Sequence, residues 1–166
     1  DHINRILKGN DLQMIDQVYF LINNICLTSK ELRYLAFGKF EIKQNYHKHF
    51  TLIVGGGLTE EKVQENPGFV ADVDPVMMEN ILSVIKIMTY YPKLLRKKTE
   101  KYVIFTLATT VIMLAKDKKT DVHKIILAKS IEIISNLSND ESMIKTISGT
   151  EGNETLGTSG LVSLLI

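Results

Sequence analysis

One cysteine, Cys26, is all the thiol chemistry that these 166 residues provide. A lone thiol excludes an intramolecular disulfide framework and any multi-cysteine zinc site, and it fits a reducing intracellular compartment. An excess of either charge is also missing. Lysine and arginine number 20 and aspartate and glutamate 19, leaving a formal net charge of +1, too small to argue for a polyanionic partner from charge alone. Any basic surface is therefore local. Long apolar runs are absent too: stretches such as Val111 to Ala115 and Leu161 to Ile166 stop far short of the roughly 20 residues that a membrane span needs. No membrane association is expected. Strand signals are nearly absent as well.

What remains is a chain with 45% hydrophobic residues, enough to bury one substantial core. Its apolar residues recur at helical spacing. Asp74-Pro75 opens a helix, because the aspartate accepts from free backbone donors and proline at the first helical position loses nothing by lacking an N–H. Val76, Met77, Asn80, Ile81, Val84, Ile85 and Met88 follow at spacings of three and four, predicting a helix over 75–90. Tyr91-Pro92 ends it, since proline pushes the preceding residue out of the helical region. A second helix is predicted over 101–116, apolar nearly all round and therefore interior. A third runs from Asp121, read as its cap, to Leu137, with Ile125, Ala128, Ile131, Ile134 and Ser135 inward. Asp11 caps a fourth, whose inner face is Leu12, Ile15, Val18, Tyr19, Ile22 and Ile25 or Cys26. Short helices are expected at 2–7, 30–37, 59–64 and 141–146, and flexible loops at 39–73 and 148–160.

The glycines of LIVGGGLTEEKVQE, Leu52 to Glu65, suggest a phosphate loop at first sight. Gly55-Gly56-Gly57 matches neither the dinucleotide nor the mononucleotide spacing. Glu60 and Glu61, which precede Lys62, would repel a phosphate at close range. The stretch reads as a linker capped by Thr59. His47-Lys48-His49 places two imidazoles on alternate residues of what reads as an extended segment, with no third ligand in view, so surface histidines are expected and no metal site. No nucleophile–base arrangement can be assembled. Neither catalytic residues nor a cofactor nor a small-molecule substrate is expected.

The densest basic cluster is Lys93, Arg96, Lys97, Lys98 and Lys101. It reads either as a solvated junction that complements a helix carboxyl end or as a surface for phosphates or an acidic partner. Tyr90, Tyr91 and Tyr102 beside it read as core edges, and Met77, Met78, Met88 and Met113 as core filling.

Asn23 to Glu31, NNICLTSKE, and Ile133 to Glu141, IISNLSNDE, share an apolar helix end, a leucine, a hydroxyl residue and a polar restart. Internal similarity of this kind is what stacked helical repeats produce. The first forty residues, with Ile6-Leu7-Lys8-Gly9 ahead of a helix that begins in acidic and polar residues, resemble an armadillo or HEAT-type repeat. Together with the helix end Ile133-Ile134-Ser135-Asn136-Leu137-Ser138, they resemble more narrowly the armadillo-like region of the ARID-bearing subunits of fungal SWI/SNF chromatin remodellers. No ARID domain is visible. The resemblance implies a protein-binding scaffold, a nuclear location and no catalytic residues to carry over.

The expectation is therefore an all-α, armadillo/HEAT-like helical repeat, a short right-handed solenoid, with a closed helical bundle as the alternative. Residues 1–166 are taken as a single domain and as a fragment of a longer protein, because the chain begins without methionine and stops inside an apolar run. The expected role is a non-catalytic scaffold that binds protein subunits of a multi-subunit nuclear assembly concerned with chromatin remodelling and transcription. The alternatives are a helical domain making weak nucleic-acid contact through Lys93, Arg96, Lys97, Lys98 and Lys101, and an armadillo-like assembly chaperone.

Overall fold

The computed structural model describes residues 2–54 and 74–148. Among these, the regular structure is entirely α-helical, in eight helices: α1 (His2–Lys8), α2 (Leu12–Thr28), α3 (Lys30–Lys39), α4 (Ile42–Val54), α5 (Pro75–Tyr90), α6 (Lys98–Ala115), α7 (Asp121–Ser138) and α8 (Glu141–Ser148). The sequence reading takes the chain as one domain; the fold groups into two compact units, Asp1–Val84 and Ile85–Ile166. The division falls within α5.

Local chemistry sets the helix ends. Asp11 accepts from the backbone N–H groups of Gln13 and Met14 at 3.1 and 3.2 Å, and Asp74 does the same for Val76 and Met77 at 3.0 and 3.2 Å. Each satisfies donors that the first helical turn leaves open. Ser29 closes α2 and opens α3, its hydroxyl accepting from Leu32 N–H at 3.1 Å. Gly9 ends α1 by donating to the Ile6 carbonyl at 3.0 Å. A Cβ there would lie 3.2 Å from that same oxygen, so the turn favours the residue without one.

In the first unit, α2 packs on α1, α3 and α4, and α1 also meets α4. The buried residues are Leu7, Ile15, Val18, Tyr19, Ile22, Cys26, Ala36, Phe37, Ile42, Tyr46, Phe50 and Ile53, with Met78, Ile81, Leu82 and Val84 from α5. Each fully buried aliphatic side chain contributes roughly 1.5–3 kcal/mol of transfer free energy. Polar fastenings hold α1 in place. Asn4 donates to the Lys39 carbonyl at 3.1 Å and accepts from Glu41 N–H at 2.9 Å. Lys8 pairs with Glu41 at 2.9 Å, and Lys48 Nζ donates to the Lys8 carbonyl at 2.7 Å. Asn80 donates to Asp16 at 2.8 Å, joining α5 to α2.

In the second unit, α6, α7 and α8 pack on one another around Ile104, Phe105, Leu107, Ala108, Val111, Ile112, Ala115, Ile126, Ile133, Leu137 and Met143. Leu94 and Leu95 from the α5–α6 link are buried as well.

Several expectations change here. Residues 42–54, placed in the 39–73 loop by the sequence reading, form α4. Ile42, Tyr46, His49, Phe50 and Ile53 give it a buried stripe. Leu52 to Val54, the apolar run before the glycines, is its last turn. Residues 55–73, including the glycine stretch and the helix expected at 59–64, lie outside the described residues, as does 149–160. Helix α6 begins at Lys98 rather than Lys101, behind Lys97, whose side chain makes no capping bond. Thr120, not Asp121, caps α7. The buried face of α7 is His123, Ile126, Ser130, Ile133, Ile134 and Leu137, rotated from the face expected. Ile125 and Ile131 are exposed, and so are Val76 and Met113.

Candidate binding cleft

Proline sets up the cleft. Pro92 stops α5 at Tyr90, and the chain turns through a Leu94 N–H bond to the Tyr91 carbonyl at 2.9 Å before α6 begins. Across from this link, α7 ends and α8 begins through a turn centred on Asn139 and Asp140. Thr89, Tyr90, Pro92 and Leu95 on one side, Lys101 of α6, and Asn136, Leu137, Asn139, Asp140 and Glu141 on the other line a cleft of about 590 Å³. All of these residues belong to the second unit.

The walls are fastened by side chains. Asn136 Nδ2 donates to the Thr89 hydroxyl at 3.2 Å and to the Lys86 carbonyl at 3.4 Å, while the Thr89 hydroxyl itself donates to that carbonyl at 2.9 Å. Lys86 and Glu132 form an ion pair at 3.0 Å one turn away. Lys86, Ile87, Tyr90, Tyr91, Glu132, Ser135 and Asn136 line a second groove of about 310 Å³. Tyr90 and Asn136 thus belong to both depressions. Tyr90 is 64% exposed, and its ring meets Tyr91 edge-on, the centroids 4.9 Å apart at 76°.

Electrostatics at the cleft centre on Lys101 and Asp140. The Lys101 ammonium donates to Asp140 Oδ2, and Asp140 Oδ1 accepts from the Ser142 N–H at 2.8 Å and the Ser142 hydroxyl at 2.6 Å. One carboxylate therefore caps α8 and binds α6. Lys101, followed by Ser142, holds the Asp140 carboxyl down to about 2.

The five basic residues of the cluster are thus separated by role. Lys93, Arg96 and Lys97 are exposed on the link, and Lys98 is exposed as the first residue of α6. Lys101 is turned toward Asp140, its side chain only 14% exposed. Sequence reasoning missed Asn136, Asp140 and the exposed Tyr90, which it took for a core edge. Tyr102 is exposed as well. The only available sign was the proline after two tyrosines.

In the first unit, His49 departs most from expectation. The extended, surface placement of His47-Lys48-His49 gives way to a helix, on which His49 is fully buried and His47 exposed. Burial lowers the His49 pKa from its ordinary value, with neighbouring Lys48 acting in the same direction and the bond to the Leu7 carbonyl opposing. Burial also pushes the Cys26 thiol up to about 11, against the pull of Arg33, which leaves it a poor nucleophile. No group of three or more His, Cys, Asp or Glu side chains that could hold a metal ion occurs among the described residues. No helix among them is long and apolar enough to cross a membrane.

A second surface is apolar. Met14, Phe20, Leu21 and Leu27 on α2, and Leu32 and Leu35 on α3, are all exposed, Leu27 at 67% and Leu35 at 61%. Phe20 and Leu27, seven residues apart, share one flank of α2, as do Met14 and Leu21. Comparison with protein-family models, with curated proteins and with solved structures finds no match for this chain.

Proposed function

We propose that this chain is a non-catalytic protein-interaction scaffold built of helical repeats of armadillo or HEAT type, acting in a multi-subunit nuclear assembly of the chromatin-remodelling kind. The observation that carries the interaction reading is the set of large apolar side chains exposed on two packed helices, Phe20, Leu21, Leu27 and Leu35 foremost. Scattered exposed apolar residues are ordinary. So many on two adjacent helices favours a surface that another protein covers. The cleft beside Tyr90 adds a concave site with an aromatic rim, amide groups and an ion pair, which suits recognition by shape and hydrogen bonding. The nuclear, chromatin-associated part of the reading rests on the resemblance of the first forty residues and of the α7 end.

Affinity purification of the full-length protein, with identification of what co-purifies, tests the proposal. Remodeller subunits are the expected result. Molecular chaperones or proteasomal proteins in their place would contradict it.

Weak nucleic-acid contact is the second reading, favoured by the exposure of Lys93, Arg96 and Lys97. It expects binding that falls steeply with added salt. The engagement of Lys101 by Asp140 removes one of its five charges.

A further inference from the structure

None of the exposed residues of α2 carries a charge, although 23% of the chain does. The one charged residue of this helix, Asp16, is half-buried and accepts from Asn80. The helical repeat puts the exposed residues on one stripe, and that stripe has the same chemistry read from either end. Phe20 and Leu21 sit at its centre. The amides Gln17 and Asn24 come next on either side, then Met14 and Leu27, then the polar Gln13 and Thr28. The two members of each pair are equally far from the midpoint of the stripe. The four apolar members are exposed by 43% to 67%. Gln13, Gln17, Phe20, Asn24 and Leu27 follow one another at steps of four and three, the spacing of a seam between two helices.

We infer that the occupant of this face is a second copy of the chain, its α2 packed antiparallel on the first about a two-fold axis between Phe20 and Leu21. In such a contact the same patch serves both copies and must complement itself. The antiparallel setting brings Gln17 level with Asn24 of the second copy. A side-chain amide both donates and accepts, so the two amides satisfy each other, and polar pairs inside a helical seam fix its register. Phe20 and Leu21 meet their own copies around the axis. A charge there would meet itself and repel, which gives the uncharged face a physical reason. A face shaped for an unrelated protein has no need of mirror symmetry. The four apolar side chains show on the order of 400 Å² and the polar ones between them roughly half as much again, so two copies would bury about 1,200 Å², the low end of specific interfaces. A reversible, concentration-dependent dimer follows. This rests on the interaction reading above and names the partner of its α2 face.

The test is sedimentation equilibrium of the full 166-residue chain from low micromolar to several hundred micromolar concentration. The mass is expected to rise from the 18.8 kDa of one copy to twice that and no further. Phe20→Glu should raise the dissociation constant roughly a hundredfold or more. The register has its own readout. Gln17→Glu with Asn24→Glu sets like charges level across the axis and should abolish the dimer, whereas Gln17→Lys with Asn24→Glu sets opposite charges level and should hold it at least as tightly as wild type. All three side chains are exposed, so each variant should keep the wild-type circular dichroism at the dilute end. A single-copy mass at every concentration would overturn the inference and leave the face to a different protein. A mass that climbs past two copies, or equal dissociation constants for wild type and all variants, would overturn it as well. So would loss of the dimer in both double variants, which would refute the antiparallel register. Loss of the dimer beside retained co-purifying nuclear proteins removes only the second copy. Failed co-purification with the dimer intact removes only the nuclear-scaffold reading.

Discussion

The Tyr19 hydroxyl donates to His49 Nδ1 across 2.8 Å inside the first unit, and His49 Nε2 donates to the Leu7 carbonyl at 2.7 Å. The assignment follows from the acceptors. A carbonyl can only accept, so Nε2 carries the proton, and Nδ1 is left to accept from the phenol. The neutral imidazole thereby joins α1, α2 and α4. Replacing it strands two buried partners and opens a void. His49→Ala should cost about 2–4 kcal/mol in urea unfolding near neutral pH. A loss below about 0.5 kcal/mol would show that the relay does not hold these helices.

The same relay predicts an acid dependence. The folded state holds His49 below its ordinary 6.5, so at pH values beneath 6.5 the unfolded chain takes up a proton that the folded chain refuses. Stability is full above that pH and declines as pH falls toward the lowered folded value. Protonation of Nδ1 would also oblige Tyr19 to accept instead of donate. Urea midpoints at about pH 7.5 and about pH 5.5 should differ in the wild type, and the difference should shrink in His49→Ala. An unchanged difference would place the acid sensitivity elsewhere.

Asp140 governs the acid end of the scale. Its carboxyl, ordinarily at 3.8, is held to about 2 by Lys101 and Ser142. The stabilisation is present above about 3.8 and is lost as pH falls from there toward 2. Asp140→Asn keeps an acceptor for the Ser142 N–H and loses the ion pair, so its melting temperature should vary less than wild type over that interval. Asp140→Ala loses the α8 cap as well and should cost about 1 kcal/mol or more near neutral pH. Equal slopes for wild type and Asp140→Asn would refute the assignment.

Asn4 offers a sharper test of how α1 is held, because both ends of one amide are used, on the Lys39 carbonyl and the Glu41 N–H. Asn4→Ala should cost about 1–3 kcal/mol. It should also raise amide hydrogen exchange in α1 before exchange rises in α2. Uniform exchange across the two helices would mean that apolar packing alone seats α1.

These particulars also explain what could be read from the residues. Helix α5 was legible to the residue because Asp74-Pro75 and Tyr91-Pro92 bracket it with chemistry that acts locally. Helix α4 was not, because its buried stripe of Ile42, Tyr46, His49, Phe50 and Ile53 includes a histidine, which a hydropathy pattern counts as polar. His49 is buried only because Tyr19 and Leu7, distant in sequence, supply its partners. Helix α7 misled for a related reason. It carries isoleucines on two faces, and the buried one includes His123 and Ser130, the latter donating to the Ile126 carbonyl at 2.8 Å. The cleft was illegible because its walls come from three separated segments, near Tyr90, Lys101 and Asn136. The basic residues Lys93, Arg96, Lys97 and Lys98 are close together in the chain and stand out in the sequence, but of the cluster only Lys101 lines the cleft.

The exposed leucines bear on the interaction account without bearing on the fold. Leu27 and Leu35 are mostly in solvent, so Leu27→Glu and Leu35→Glu should each change stability by no more than about 0.5 kcal/mol. A larger loss in urea unfolding would show that they pack within the chain.

The most direct measurement is side-by-side affinity purification of the full-length wild type and the Leu27→Glu, Leu35→Glu double variant, with quantitative identification of bound proteins. Remodeller subunits recovered with the wild type and lost from a folded variant are the predicted result. Identical recovery from both, or recovery of chaperones alone, would contradict the account.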